Sequence, residues 1–400
     1  METTEEGKKT RKKIGLLPKV LIAIVLGIVC SLFFPTWAVR IFLTINSIFS
    51  NFLGMFIPLL IIGLVSAGIA DLGKGAGKLL AITAGLAYLS TILAGLFSFF
   101  TCTLTFPTLL ANQADTFRNV LANNAESGVA LAPFFTIEMP AFINVTTALI
   151  TAFILGLGVT AAKGNSLKGV LDDFRDVVTV VISKVIVPIL PLYIFGIFLG
   201  MGAEGKVGPI LGMFAKIILV IFAMHITVLV LQFLIAGAIS KKRPFKSLIT
   251  MLPAYLTALG TSSSAATIPV TLAQTKKNGV DEGIADFVIP LCATVHMPCS
   301  ILKIVACSFA ISFCMGMPMD LATYGGFIMM CGITMVAAPG VPGGAIMAAL
   351  GLIDSMLGFS PEMQGMIIAL YIAMDSFGTA GNVTGDGAIA LIIDKINRRK

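Results

Sequence analysis

Eight apolar stretches, each about long enough to cross a bilayer, fill most of this 400-residue chain and leave it few folds. A helix needs roughly 20 apolar residues to span the hydrocarbon. Suitable runs lie near 14–35, 41–70, 79–110, 141–162, 177–201, 207–239, 284–314 and 363–393. Hydrophobic residues make up 57% of the chain and charged residues 12%, about half the roughly 25% of a soluble domain. With a mean hydropathy of +0.99, so much apolar surface cannot hide in one core. The sequence therefore predicts an all-α polytopic membrane protein, with lipid as the solvent for much of its surface.

The same stretches exclude several functions. The net charge of +7 is no nucleic-acid patch, because Lys and Arg sit in short loops and at the two ends. The seven cysteines all lie in apolar runs, so neither a disulfide framework nor a zinc site is indicated. No P-loop, HExxH or GxSxG motif is present, which removes ATP-driven pumping and the commoner hydrolases. The basic stretch Lys8 to Lys13 resembles a signal peptide, but no small-residue cleavage site follows Ser31. It reads as a cytoplasmic tail before the first span.

Cytoplasmic loops collect Lys and Arg, which orients the spans. With the N-terminus inside, the inner face receives Lys74, Lys78, Lys163, Lys168, Lys241, Lys242, Arg243 and Lys246, and then Lys395, Arg398, Arg399 and Lys400. The outer face receives Arg40, Arg118 and Lys206. Both termini are expected in the cytoplasm, and 112–138 reads as a loop with interfacial pieces.

Two apolar regions are too short-armed to be spans. The run 247–259 breaks at Gly260-Thr261-Ser262-Ser263-Ser264 and resumes at 265–275, with basic residues at both ends. A second run from Leu321 breaks at Pro339-Gly340-Val341-Pro342-Gly343-Gly344 and resumes at 345–353 on the opposite side. Arms of about a dozen residues must enter, turn and leave on one face. The expectation is two re-entrant helical hairpins, each followed by a full span, together an inverted repeat. Ordinary extramembrane turns are the alternative. Non-helical backbone at membrane depth needs protein or a polar cavity around it, and in transporters such elements hold substrate and coupling ion.

In the last span Asp375, Thr379, Asn382 and Asp386 are spaced 4, 3 and 4, which places them on one helical stripe. A charged Asp in mid-membrane costs about 3 kcal/mol, so these carboxylates call for a cation or for neighbouring hydroxyls. An intramembrane aspartyl protease is disfavoured, because 11 residues of helix separate the carboxylates by about 16 Å. The hydroxyls and N–H groups of Thr261 to Ser264 suit a carboxylate. In the seventh span Pro298 lacks an N–H, which frees the Thr294 carbonyl to bind a cation. His296 has three readings: a buried neutral imidazole, a cation or proton site, or a substrate contact. Lys303, seven residues on and nearly on the same face, either snorkels or serves Asp375 or Asp386 as a built-in cation. His225 reads as structural.

These residues carry a resemblance. The stretches Thr261-Ser262-Ser263-Ser264-Ala265-Ala266-Thr267-Ile268-Pro269-Val270-Thr271, Val288-Ile289-Pro290-Leu291-Cys292-Ala293-Thr294, Gly340-Val341-Pro342-Gly343 and Asn382-Val383-Thr384-Gly385-Asp386 are similar to the dicarboxylate/amino acid:cation symporter family, the glutamate-transporter fold. They span about residues 245–390; the first 240 residues match mainly in span layout. The resemblance implies eight spans, two hairpins, a homotrimer and an elevator motion. Residues 1–75 (spans 1–2) and 112–205 (spans 4–5) would form the scaffold, and 76–111 (span 3) and 206–400 the transport domain. It implies substrate contacts at Ser263, Ser264, Ser300, Val341, Gly343, Asp375, Gly378, Thr379 and Asn382. Asp375 would take a substrate amino group, and Ser264 with Asn382 its carboxylate. The cation ligands implied are Tyr88, Thr91, Cys292, Thr294, His296, Asn382 and Asp386.

Three positions depart from the family pattern. Its Asn-Met-Asp-Gly-Thr signature is here His296-Met297-Pro298-Cys299-Ser300, so one sodium-ligating carboxylate is missing. Gly378 stands where members with acidic substrates carry an arginine. The other arginine position holds Ser262 or Ser376. The expectation is a secondary active symporter of a small carboxylate-bearing solute, a neutral amino acid, in the cell membrane. Sodium or protons would drive it, and no cofactor is needed. Lys303 or His296 would replace one sodium. The alternatives are a carrier of a non-amino (di)carboxylate, or a channel or receptor on the same fold.

Overall fold

A computed structural model describes residues 15–73, 78–115, 131–162, 164–205, 207–336, 338 and 342–398. Among them all regular structure is helical. The basic positions Lys8 to Lys13, Lys74, Arg118, Lys163, Lys206, Arg399 and Lys400 lie outside the described residues, as does the centre of the 112–138 loop.

The first half comprises α1 (Leu16–Ser31), α2 (Thr36–Gly73), α3 (Lys78–Leu109), α4 (Val145–Ala161), α5 (Ser166–Val181) and α6 (Val187–Ala203). A π-helical turn, Ile182–Ile186, joins the last two. α2 packs on α4, α5 and α6, and α1 on α6. α3 leaves this group and lies instead on elements of the second half. The expected span at 177–201 begins earlier, at Ser166. The charges that end the apolar window sit on helix, where Lys168 pairs with Asp172 at 3.2 Å and Arg175 with Asp172 at 3.3 Å. Such i, i+3 and i, i+4 pairs let a helix continue past its apolar part.

The second half comprises α7 (Val207–Ser240), α8 (Pro244–Thr250), α9 (Leu252–Thr261), α10 (Ser264–Lys277), α11 (Glu282–Val295), α12 (Pro298–Met315), α13 (Leu321–Val336), α14 (Gly344–Leu357), α15 (Pro361–Ala373) and α16 (Asp375–Asn397). α9 pairs with α10 and α13 with α14, so each interrupted apolar run forms two packed arms. The first break is narrower than expected. Helix runs through Gly260 and Thr261, and only Ser262, in the left-handed region at φ 50°, and the extended Ser263 interrupt it. Ser263 caps the returning arm by accepting the Ala266 N–H at 3.3 Å.

Two apparent single spans are broken. α11 ends at Val295 and α12 restarts at Pro298, so His296 and Met297 are non-helical. α15 and α16 meet at Met374 with a bend of 59°. Five helical stretches among the described residues are long and apolar enough to cross a membrane, or six with this bent pair as one. α1 and α4 are apolar but have 16 and 17 residues. Large apolar side chains stand exposed on the outer helices, such as Leu104 (79%) on α3 and Leu219 (71%) on α7. By contrast α12 is buried at every residue from Pro298 to Ser312, because α3, α7, α15 and α16 surround it.

Candidate functional site

The non-helical joints at 296–297 and at Met374 lie next to the polar side chains singled out above. Asp375 opens α16 and is almost wholly buried. Its Oδ2 accepts the Gly343 N–H at 2.8 Å, from the start of the second returning arm. Gly343 holds φ 76°, a left-handed geometry that glycine adopts freely. The next residue, Ser376, meets Ser262 of the first tip, Oγ to Oγ at 2.6 Å. Both tips thus close on consecutive residues of one helical turn. Val341 lies outside the described residues.

The other carboxylate oxygen, Oδ1, is 3.6 Å from Lys303 Nζ. Lys303 has no exposed surface. Its ammonium donates to the Met374 carbonyl at 3.2 Å and sits 3.8 Å above the Tyr371 ring, a cation–π contact that strengthens without water. Gly378 explains the fit, since a β-carbon there would overlap the lysine Nζ and Cε. Thr379 turns its hydroxyl back to the Asp375 carbonyl at 3.0 Å. Asn382 bridges to the start of α12, accepting the Cys299 N–H at 2.8 Å and donating to Ser300 Oγ at 2.9 Å. Ser264 is buried at the first residue of α10.

Asp386, nearly three turns along α16, pairs instead with His296, Oδ1 to Nδ1 at 2.9 Å. His296 Nε2 lies 3.0 Å from Ser90 Oγ, which accepts from Gln232 Nε2 at 3.0 Å. One proton arrangement satisfies all three contacts: the amide donates to the serine, the serine to Nε2, and Nδ1–H to the carboxylate. Thr91 accepts the Met297 N–H at 3.2 Å, and the Cys292 carbonyl accepts the His296 N–H at 2.9 Å. The remaining expected cation ligands do not join this group through their side chains. Thr294, exposed, turns its hydroxyl to the Leu291 carbonyl, and Tyr88 donates to Met329 O on α13. His225 contacts the Cys299 carbonyl through Nε2 at 3.2 Å.

The expectation that His296 and Lys303 share one helix face needs correction. Seven residues make two turns only on an unbroken helix, and the joint at 296–297 lies between them. The two candidates therefore serve different carboxylates. Sequence reasoning also missed Ser90, Gln232 and Tyr371. Gln232 left a signal, as a lone amide within an apolar span, where an unpartnered polar group is costly. No group of three or more His, Cys, Asp or Glu side chains suited to a metal ion occurs among the described residues. What the region offers instead is hard oxygen at Asp386, Asn382 and the carbonyls at the α11–α12 joint, chemistry suited to sodium.

The model of the sodium:dicarboxylate symporter family matches residues 16–396. The chain belongs to that family. It is 28% identical over 397 residues to the serine/threonine transporter SstT of Acinetobacter baumannii strain AYE, covering 97% of this chain and 98% of the relative. It is 27% identical over 405 residues to the SstT of Acinetobacter baylyi, with 96% and 98% covered. This member of the sodium:dicarboxylate symporter family is an integral membrane protein built from several apolar helices, and its family and these relatives are transporters rather than enzymes.

Proposed function

We propose that this protein is a secondary active symporter that carries a small neutral amino acid of the serine or threonine type, coupled to sodium or protons. The observation that carries the reading is the contact of both hairpin tips with the first turn of α16, beside the buried Asp375, Ser300 and Asn382. A zwitterion needs an anion for its ammonium and N–H or hydroxyl donors for its carboxylate, and this turn has both. The names of the SstT relatives support the amino-acid class. Asp375 takes the amino group, Ser264 and Asn382 the carboxylate, with Ser263, Ser300, Val341, Gly343, Gly378 and Thr379 around them. Asp386, Asn382 and backbone oxygens at Thr294 hold sodium, with Thr91, Cys292, His296 and Tyr88 nearby.

The same reading takes all eight apolar stretches as spans and both hairpins as re-entrant, with both termini in the cytoplasm. α1, α2, α4, α5 and α6 form the scaffold of a homotrimer, against which α3 and α7–α16 move as an elevator. Support comes from the packing of α3 on the second half. Uptake of radiolabelled L-serine into proteoliposomes tests this. Accumulation above the outside concentration under an imposed sodium or proton gradient is expected. Mere equilibration would indicate a channel, and binding without uptake a receptor. A second reading, a non-amino (di)carboxylate as solute, draws on the Lys303–Asp375 contact, since a resident ammonium already faces that carboxylate.

A further inference from the structure

The Lys303–Asp375 pair has no counterpart in the amino-acid reading just given, because a solute ammonium and the lysine would claim the same carboxylate. Asp375 is satisfied without any solute, by Lys303 at one oxygen and the Gly343 N–H at the other. The lysine contact is the looser of the two, at 3.6 Å against 2.8 Å. In the same position the Met374 carbonyl and the Tyr371 face also hold its ammonium, contacts that do not depend on Asp375 Oδ1. Gly378 leaves the room that the lysine head occupies.

A carrier must return without its solute if it is to give net transport. During that return a carboxylate buried at the centre of the moving part would lack the ammonium that balanced it. Losing one partner of a buried ion pair is far more costly than losing an exposed one. We propose that Lys303 is a tethered counter-cation for the return step: it neutralises Asp375 in the empty carrier and yields Oδ1 to the ammonium of an arriving solute. The lysine then rests on Met374 O and Tyr371, and no separate cation has to bind Asp375 for the carrier to reset. This proposal rests on the amino-acid symporter reading.

Exchange of internal for external solute never requires the empty carrier to cross, whereas net uptake does. Purified protein and its Lys303→Met variant are reconstituted, and L-[³H]serine entry is measured into serine-free vesicles and into vesicles preloaded with unlabelled serine. The expected result is a ratio of net uptake to exchange about 100-fold lower in Lys303→Met than in the unmodified protein. Lys303→Gln, which keeps a donor for Met374 O, serves where the methionine variant is not monodisperse, and the same fall in ratio is expected. An unchanged ratio in a folded variant, whether both modes fall together or neither falls, overturns the proposal. Unmodified protein that moves serine in neither mode overturns the amino-acid reading and the proposal with it.

Discussion

The Gly343 N–H and Asp375 Oδ2, 2.8 Å apart, fasten the second hairpin to the carboxylate at the start of α16. The first hairpin reaches the neighbouring residue through Ser262 and Ser376 at 2.6 Å. A solute seated at this turn must displace or bridge both contacts. Single cysteines at Ser263 and at Pro342, in a background without other cysteines, should therefore be protected by saturating serine. If the hairpins are re-entrant from opposite faces, impermeant reagents should reach the two positions from opposite sides. Labelling of both from one side, unaffected by serine, would make the tips ordinary loops.

In the proposed symporter, substrate charge is expected to turn on Gly378. Arginine placed there collides with the Lys303 ammonium, adding overpacking, about 1–3 kcal/mol, to like-charge repulsion. Gly378→Arg alone should lower the unfolding temperature in detergent and abolish uptake. Combined with Lys303→Met it should fold and shift competition from serine toward aspartate. In the unmodified protein neutral amino acids should outcompete aspartate and glutamate, since a second desolvated carboxylate would lack a dedicated cation. Tight aspartate transport by the unmodified protein would refute this, unless Lys303 takes the place of the arginine.

The ion count follows from the signature segment. Pro298 offers no side-chain oxygen, and His296 spends Nδ1 on Asp386. Fewer coupled sodium ions are expected than in a relative with the full signature, as read from reversal potentials at several sodium gradients. Asp386→Asn should remove the sodium dependence of uptake. An equal sodium count would mean that another group supplies the missing ligand.

Ser90 is placed to be a structural test of the polar chain. Its hydroxyl is the partner of His296 Nε2 and the acceptor for Gln232. Ser90→Ala takes this partner from the buried His296 Nε2 and the half-buried Gln232 amide and should destabilise by about 1–3 kcal/mol. Gln232 Oε1 is buried with no partner, so Gln232→Leu should cost less, because it removes an unsatisfied atom together with the Nε2 contacts to Ser90 and His296. Thermal unfolding of the two variants side by side gives the comparison.

Apolar length, charge asymmetry and the Gly-Ser and Pro-Gly interruptions were enough to read the helical class and the paired arms from sequence. They act locally, over one or two helical turns. The break at Met374 carries no Pro or Gly, so no local signal marked it in the sequence. The division of labour between Lys303 and His296 was hidden for a related reason. Helical periodicity places two residues on one face only while the helix is continuous, and here it stops at His296. Ser90 and Gln232 lie more than 60 residues from His296, and only the packing of α3 on α11 and of α3 and α7 on α16 brings them to it.

The chain from Gln232 through Ser90 and His296 to Asp386 takes one residue each from α7, α3, the α11–α12 joint and α16. It works as a rivet through three helices and the joint between two more, elements far apart in sequence. Sliding α3 against the others would take Ser90 from the imidazole Nε2 and from the Gln232 amide, while the imidazole–carboxylate pair stayed intact. In the proposed elevator motion α3 would therefore travel with these elements, away from α2 and α4. The connections on either side of α3 become the natural place to look for variants that change speed without changing what is carried.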